Sequence, residues 1–383
     1  MCADFSQKIG NPGGGPMEQE SRQRPLHPQL AVGMLAVGLM LALLLSGDGL
    51  RAMATQPDQP SVQAVAVLGQ GAETGRKVVP LGRAVGIKLF SDGVLVVGMS
   101  ELETGTGPVS PGQICGLKTG DVITHVNGQE VDTIEQVQTI LKEDGEEPLT
   151  LRACRSGKVL QLSAQAVAND QGKYQLGVWL RDSMAGIGTM TFYDPDSCMF
   201  AALGHGINDV DTAQLMPLET GNIMYAAVSD VKRGCSGDPG ELHGNFDVNR
   251  DLGTLYANTE RGIFGTLTSG DFEDMGQPME VASREEVKAG PAAILSNVAG
   301  EDVREYDVEI THVYPPSAGE TRSLMVKVTD PELLERTGGI VQGMSGSPII
   351  QNRKIVGAVT HVLVNDPTRG YGIFIENMLE MAE

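Results

Sequence analysis

The stretch GGIVQGMSGSPIIQNRKIVGAVTHV, residues 338–362, decides the fold that we expect for this chain. At its centre lies a Gly-x-Ser-Gly-x-Pro run around Ser345. A glycine two positions before a serine lets the backbone turn its amides toward one point, where those of Gly343 and Ser345 would stabilise a developing negative charge. The polar turn at 351–354 separates two apolar runs, which predicts a supporting β-hairpin. The pattern therefore predicts a loop in which the Gly343 and Ser345 amides can form an oxyanion hole beside the Ser345 hydroxyl.

The same run resembles the nucleophile loop of chymotrypsin-like serine proteases. Residues 169–383 are rich in short strands and glycine turns, and their length suits two small β-barrels packed together. The resemblance implies a mostly β protein in which 169–383 is a chymotrypsin-like double β-barrel peptidase domain. A second Gly-x-Ser-Gly-x-Pro run occurs at 234–239, but no apolar hairpin follows it. We therefore regard its serine, Ser236, as the weaker candidate nucleophile.

A nucleophilic serine needs a base, and histidine is the side chain whose unperturbed pKa suits that role. His205 lies in the segment FAALGHG, where small residues lead into a glycine-flanked histidine well before Ser345. The small neighbours leave room for a substrate, which favours His205 as the base. His361 lies on the expected hairpin, in the region that walls the specificity pocket of this protease class, where it would favour an acidic or polar substrate residue. The rival bases are His243, His312 and His361.

The run GLKTGDVITHVNGQEV, residues 116–131, resembles the central part of a PDZ domain. Asn127 and Gly128 suit a type I′ turn, because both central residues of that turn have positive φ. Residues 77–166 are therefore predicted as a PDZ-like α+β domain, with a helix in the segment TIEQVQTILKED. PDZ domains bind an extended peptide beside a strand, and a loop receives its terminal carboxylate. We predict this peptide-binding loop at Val85, Gly86, Ile87, Lys88 and Leu89.

The N-terminal part of the chain has the composition of a tail followed by an apolar segment. Residues 1–29 are rich in Gly, Pro, Gln and charge, and predict a disordered tail. Residues 30–47 carry no charge and predict a transmembrane or signal segment, with a linker over 48–76. Because Lys and Arg precede the segment, the tail is expected in the cytoplasm and the following domains outside it. The Ala-Met-Ala run at 52–54 has the form of a cleavage site, so an anchor and a signal peptide are both open.

The overall charge and the cysteine pattern exclude several classes of function. Acidic residues outnumber basic ones, 49 against 28, and give a net charge of −21. Such a charge repels phosphate backbones, so nucleic acid is not expected as a partner. The five cysteines show no Cys-x-x-Cys spacing and no pairing with histidine, which argues against a zinc site. Catalysis by serine and histidine needs no metal or organic cofactor, and none is expected.

Three segments together resemble the stage IV sporulation protein B peptidases: GHG at 204–206, TDPELLERTGGIVQGMSGSPIIQN at 329–352 and GAVTHVLVNDPTRGYGIFIENML at 357–379. The resemblance implies a serine endopeptidase that cleaves itself and then cuts a membrane-bound inhibitor of an intramembrane metalloprotease. That cut leads to activation of a late sigma factor during sporulation. The implied location is the space between the forespore membranes. The triad that the resemblance implies is His205, Asp330 and Ser345.

The residues alone leave the acid of this triad open. Chymotrypsin-like folds usually take the acid from the first barrel, whereas Asp330 lies shortly before Ser345. An aspartate before a proline is also typical of a helix cap or a turn. The alternatives, which lie nearer to His205 in sequence, are Asp209, Asp211 and Asp230.

Two other functions stay open at this point. The first is a general envelope quality-control protease with a PDZ domain, which would degrade many unfolded chains where a signalling protease cuts one or two sites. The second is a non-enzymatic PDZ adaptor whose peptidase fold is inert. An active-site serine probe distinguishes the second from both proteases.

Overall fold

The computed structural model describes residues 75–105, 107–268, 276–315 and 321–382. The predicted tail 1–29 and the predicted membrane or signal segment 30–47 lie outside these residues. The predicted linker 48–76 also lies outside them, apart from its last two residues. Among the residues that are described, no helix combines the length and the apolar character needed to cross a membrane.

Most of the described residues lie in β-strands joined by tight turns. In chain order the strands are β1 (Lys77–Met99), β2 (Leu102–Thr104), β3 (Gly107–Val109), β4 (Val122–Val126), β5 (Gln129–Glu130), β6 (Leu149–Arg155), β7 (Lys158–Ala164), β8 (Val167–Ala168), β9 (Tyr174–Gln175), β10 (Val178–Tyr193), β11 (Met199–Ala202), β12 (Thr220–Lys232), β13 (Glu241–Thr259), β14 (Gly262–Leu267), β15 (Met279–Val281), β16 (Gly290–Ser296), β17 (Arg304–Val313), β18 (Leu324–Val328), β19 (Pro348–Gln351), β20 (Lys354–Leu363) and β21 (Asp366–Phe374). The helices are α1 (Pro111–Cys115), α2 (Ile134–Asp144), α3 (Pro331–Thr337) and α4 (Ile375–Leu379).

Six strands close into a first antiparallel β-barrel. Their order around the barrel is β1–β10–β11–β14–β13–β12, and β12 pairs with β1 to complete the ring. Closure removes the unpaired strand edges that would otherwise expose backbone hydrogen-bonding groups. The interior is filled by buried apolar side chains, which include Val85, Ile87, Met190, Phe200, Ile223 and Ile263.

Six further strands close into a second barrel with the same strand order. The ring runs β16–β17–β18–β21–β20–β19 and closes where β19 pairs with β16. Strand β15 joins the two barrels, because it pairs with β1 of the first and with β20 of the second. Numbered by sequence within each barrel, both rings follow the order 1-2-3-6-5-4. The mostly β, double-barrel architecture predicted from the sequence is confirmed.

A smaller α+β module is inserted between the first two strands of the first barrel. It contains β2 to β9 with α1 and α2, and its sheet includes the end of β1 and the start of β10. There Leu95 pairs with Arg181, and Met99 pairs with Val178. We call residues 94–181 the PDZ-like module. Because β1 and β10 run through both units, the module and the first barrel share two continuous strands.

Two local predictions within the module are confirmed. Asn127 and Gly128 have φ of 52° and 79° and form the two-residue turn between β4 and β5. Helix α2 begins at a capping box formed by Thr133 and Gln136, in which each side chain bonds the other residue's backbone amide. Its buried residues are Val137, Ile140 and Leu141, at the spacing of one helix face.

The segment at 85–89 lies in the first barrel, which corrects the prediction that it forms the peptide-binding loop of the PDZ-like module. It pairs with β10 along one edge and with β12 along the other, so neither edge can receive a peptide strand. The predicted domain start at residue 77 is corrected for the same reason, since residues 77–90 belong to the barrel. The strand enters the module only after an irregularity in pairing between Phe90 and Leu95. The predicted domain end at 166 and the predicted peptidase start at 169 are corrected as well, because Tyr174, Leu176 and Val178 pack in the core of the module.

Gly86→Glu is expected to prevent folding of the first barrel. A Cβ atom at Gly86 would lie 2.5 Å from the Cβ of Phe246 on β13, well inside van der Waals contact. Circular dichroism and thermal unfolding of the purified variant measure this effect. The matched control is Gly105→Glu, because Gly105 is exposed and a Cβ there has no atom within 4 Å. A Gly86→Glu protein as stable as this control would contradict the placement of β1.

Candidate active site

The loop that carries Ser345 is held between the two barrels. The Ser345 carbonyl accepts a hydrogen bond of 3.1 Å from the Thr189 amide on β10. The Gly346 amide donates to the Val359 carbonyl on β20 at 2.7 Å. Gly346 has a φ of 100°, and a Cβ there would overlap the Thr189 carbonyl oxygen and lie 2.6 Å from the Leu203 amide nitrogen. Only glycine therefore permits this close approach of the loop to the first barrel.

The two amides that the sequence predicts as an oxyanion hole, those of Gly343 and Ser345, are both free to donate in this structure. Gly343 has a φ of 98°, and neither its amide nor that of Ser345 donates to any residue that the structure describes. The Gly343 carbonyl accepts a hydrogen bond of 2.7 Å from the Thr189 hydroxyl. This bond fixes the peptide group between Gly343 and Met344, and with it the start of the loop. Thr189 was not singled out from the sequence, because nothing in the pattern of β10 distinguishes it.

Thr189→Val is expected to lower kcat/KM for peptide hydrolysis by about 10²-fold, the loss typical of a disturbed oxyanion hole. Valine keeps the shape of threonine but removes the donor to the Gly343 carbonyl. The matched control on the same strand is Thr191→Val, since the buried Thr191 hydroxyl has no hydrogen-bond partner among the described residues. Steady-state kinetics of the two variants test this, and equal activities would contradict the role of Thr189.

His205 follows β11 in a turn made possible by Leu203 and Gly204, whose φ values are 70° and 67°. Its Nδ1 lies 2.8 Å from the Gly206 carbonyl oxygen. A carbonyl oxygen only accepts, so the Nδ1 atom carries the proton and Nε2 keeps a lone pair. A proton on Nδ1 is the tautomer that a general base at Nε2 requires. Asn258, at the end of β13, accepts from the Ile207 amide at 2.8 Å and anchors the chain just after His205.

Ser345 and His205 converge on two neighbouring residues of β20. The Ser345 hydroxyl donates to the Thr360 carbonyl oxygen at 2.8 Å. A Cβ at Gly204 would lie 2.9 Å from Thr360 Cγ2, and the His361 and His205 ring centroids are 5.1 Å apart. In this structure the Ser345 hydroxyl therefore bonds Thr360 and not His205. Catalytic hydrogen bonds are often unmade before a substrate binds.

Burial sets the ionisation of both histidines. Loss of water contact lowers the pKa of His205, against a smaller opposing effect of its bond to Gly206. The pKa of His361 falls to about 4, mainly through burial and further through the charges of His205 and Arg322. The Nδ1 atom of His361 is buried and has no hydrogen-bond partner among the described residues. Both rings are therefore neutral at pH 7, which leaves His205 free to accept a proton.

The histidine burial predicts a pH-dependent stability. His361 ionises at about 4 in the folded protein and at its ordinary 6.5 when unfolded. Between these pH values the unfolded state binds more protons, so the free energy of unfolding falls as the pH is lowered from 6.5 to 4. His361→Gln is expected to reduce that fall by about 1 kcal/mol, less than the full shift in pKa corresponds to, because the ring is partly exposed and solvent screens its charge. Urea unfolding at pH 7 and 4.5 measures it, with the exposed His243→Gln as control. An unchanged pH dependence would contradict the burial of the His361 ring.

Asp330 lies at the start of α3, where its side chain caps the helix. One carboxylate oxygen accepts from the Leu333 amide at 2.9 Å and the other from the Asp307 amide at 3.4 Å. The structure does not bring Asp330 to His205. Its observed contacts are those of the helix cap that an Asp-Pro sequence also predicts.

The other acids considered from the sequence do not reach His205 either. Asp209 is buried and bonds Arg181, and Asp211 pairs with the same guanidinium at 2.8 Å. Asp230 is exposed on β12, beside His243 of β13. Among the described residues, no carboxylate forms a hydrogen bond or an ion pair with His205. The Gly206 carbonyl is the group that orients its ring in this structure.

The remaining sequence candidates lie apart from this cluster. The Ser236 hydroxyl donates to the Asn365 carbonyl at 3.0 Å in the exposed turn between β12 and β13. His243 is half exposed and lies 3.7 Å from Glu241, whereas the His312 ring packs against Tyr314. The described residues contain no group of three or more His, Cys, Asp or Glu side chains arranged to hold a metal ion.

A small cavity of about 210 Å³ opens beside Gly343. It is lined by residues of β10, by the start of β13 and by the loop that carries Ser345. Among these residues are Ile187, Leu242 and Gln342.

Comparison with known families supports two assignments. The family model for the SpoIVB peptidase S55 matches residues 172–379, more than half of the chain. A PDZ domain model matches residues 105–155, within the PDZ-like module. No curated protein sequence matches the chain at a significant level.

Solved structures give distant similarities. The PDZ domain of the SdrC-like protein (Lmo2051) from Listeria monocytogenes has 18% identity and a TM-score of 0.20. The match covers 23% of this chain and 87% of that domain. The active form of the Rv3671c protease from M. tuberculosis has 15% identity and a TM-score of 0.29, and the match covers 51% of this chain and 72% of that protease. The HtrA-type protease AlgW with a decapeptide has 11% identity and a TM-score of 0.31, with 52% of each chain covered. The assignment therefore rests on the sequence models, and the chain belongs to the SpoIVB peptidase S55 family of serine endopeptidases.

Proposed function

We propose that Ser345 is the nucleophile of this endopeptidase, His205 its general base, and the Gly343 and Ser345 amides its oxyanion hole. The observation that carries the proposal is the convergence of Ser345 and His205 on two neighbouring residues of β20, Thr360 and His361. The identity of the acid that orients His205 stays a prediction. The family resemblance assigns this role to Asp330, whose carboxylate caps α3 in this structure.

The chemistry follows from these positions. The Ser345 oxygen attacks the scissile carbonyl while His205 Nε2 takes its proton, and the resulting oxyanion accepts from the two free amides. His205 then gives the proton to the leaving amine as the peptide bond breaks, which leaves an acyl group on Ser345. Water attacks this ester while His205 takes its proton, and His205 then returns a proton to the Ser345 oxygen as the acid product leaves. Apart from this water, each step uses only side chains and amides of this chain.

We further propose that the substrates include this chain itself and a membrane-bound regulatory protein, an inhibitor of an intramembrane metalloprotease. Cleavage would then lead to sigma-factor activation during sporulation. Membership of the SpoIVB peptidase family supports this role. The apolar run at 30–47 supports an extracytoplasmic location for the two folded units, in keeping with a site between the forespore membranes.

Co-expression with candidate membrane substrates tests the proposed role. Mass spectrometry of the fragments is compared between the wild type and Ser345→Ala. One or two defined cuts that vanish in the variant support a signalling protease. Widespread degradation of unfolded chains would instead indicate a quality-control protease, and the absence of any Ser345-dependent fragment would favour an adaptor.

A further inference from the structure

The segment that follows His205 packs against the PDZ-like module. We call residues 206–218 the His205 loop. Met216 of this loop is buried against Leu89, Leu95 and Met184, in a cluster that Val97 and Val122 of the module also join. A Cβ on Gly120, in the module's GLKTGD turn, would overlap the Gln214 side chain. The loop is thus packed between the first barrel and the module.

Arg181 holds this loop through buried charge. It lies where β10 leaves the module and enters the barrel, paired with Leu95, and is only 6% exposed. Its guanidinium bonds both Asp209, which is 1% exposed, and Asp211. The second oxygen of Asp209 accepts from the Thr212 amide at 2.8 Å and from its hydroxyl at 2.9 Å. A buried carboxylate satisfied in this way fixes the conformation of the loop around it.

The next residue of β10 ties the same strand to the module's helix. The Asp182 carboxylate accepts from the Ile134 amide at the start of α2, at 2.8 Å. Two adjacent residues of β10, Arg181 and Asp182, therefore bind the His205 loop and α2.

We infer that Arg181 is a positioning residue, through which the PDZ-like module holds the His205 loop and keeps His205 aligned with Ser345. This inference rests on the proposed function of those two residues. The physical reason is geometric. His205 is anchored at Ile207 by Asn258, and Ile207 in turn accepts from the Met216 amide at 3.0 Å. Release of the loop at Asp209 would loosen the segment directly after the base, and small misplacements of a catalytic group have large effects on rate. The module is then part of the catalytic unit as well as a site for partners.

The test is the rate at which a small fluorophosphonate labels Ser345, since this probe needs the nucleophile and base but no peptide contact with the module. The first variant is Arg181→Met. Because this leaves Asp209 buried without its partner and could prevent folding, the second is Arg181→Met combined with Asp209→Leu, which removes both charges. The matched control is Arg284→Met. It breaks another largely buried ion pair, between Arg284 and Glu376 beside the second barrel.

Folded Arg181→Met, or the double variant, is expected to be labelled about 10²-fold more slowly than the wild type. For a small activated ester, kcat should fall while KM stays within about threefold, and Arg181→Lys should recover part of the rate. Arg284→Met should lower the thermal midpoint without slowing the labelling of folded protein. Labelling of the folded double variant at the wild-type rate would overturn the inference. A wild type that is not labelled at Ser345 would overturn the proposed function itself, and the inference with it.

Discussion

Ser345→Ala is expected to reduce peptide hydrolysis by about 10⁶-fold, because the variant lacks the hydroxyl that would form the acyl intermediate. His205→Ala should cost about as much, and the double variant little more, since the nucleophile and base act as a unit. The proposed self-cleavage should disappear in each variant. The measurement is kcat/KM on a peptide that the wild type cleaves, with fragment analysis of the full chain.

The matched control for this prediction is Ser236→Ala. Ser236 stands in the same Gly-x-Ser-Gly-x-Pro pattern, but its hydroxyl bonds Asn365 in an exposed turn away from His205. Its replacement should leave hydrolysis within about twofold, as is usual for a surface substitution. Near-normal processing by Ser345→Ala or by His205→Ala would contradict the assignment, and loss of activity in Ser236→Ala would transfer the nucleophile to the other loop.

Asp330→Asn is expected to lower kcat about 10⁴-fold, if the family's triad carries over to this chain. The substitution is informative because asparagine is as good a helix cap as aspartate, so α3 should keep its start while the negative charge is lost. A carboxylate that orients His205 would have to leave its contacts with the Leu333 and Asp307 amides when substrate binds. Steady-state kinetics, with circular dichroism as the check on folding, measure the effect.

An effect of Asp330→Asn below about tenfold would contradict the triad role and leave Asp330 as the cap of α3, which leads into the nucleophile loop. The control is Asp330→Ala, which removes the cap as well as the charge. If the alanine variant is much less stable than the asparagine variant, the residue acts on the fold. A larger loss in Asp230→Asn, or a loss in Asp209→Asn that exceeds the one in folded Arg181→Met, would move the acid to the first barrel.

Local sequence patterns predicted the parts of this structure that depend on neighbouring residues. The turn at Asn127 and Gly128 needs two residues that tolerate positive φ, and α2 needs apolar positions on one face. The nucleophile loop likewise depends on Gly343 and Gly346, which lie within three residues of each other. In each case the residues that determine the conformation are close together in the chain, so that the pattern is visible without the fold.

Features that depend on distant parts of the chain were not visible. The segment at 85–89 has the composition of a buried strand, and that composition does not tell which sheet it joins. The hydrogen bond from Thr189 to Gly343 links residues 154 positions apart. The pairing of Arg181 with Asp209 likewise depends on how the module is inserted into the barrel. Asp330 illustrates the opposite difficulty, since one local pattern is typical of both a helix cap and a family's catalytic acid.

The most direct test of Ser345 as nucleophile and His205 as its base is to treat the purified protein with a fluorophosphonate and to locate the adduct by peptide mapping. A triad-type serine reacts because a neighbouring base takes its proton, whereas other serines do not. We expect a single adduct at Ser345 that is absent from both His205→Ala and Ser345→Ala. An adduct at Ser236, or undiminished labelling of Ser345 in His205→Ala, would contradict this assignment.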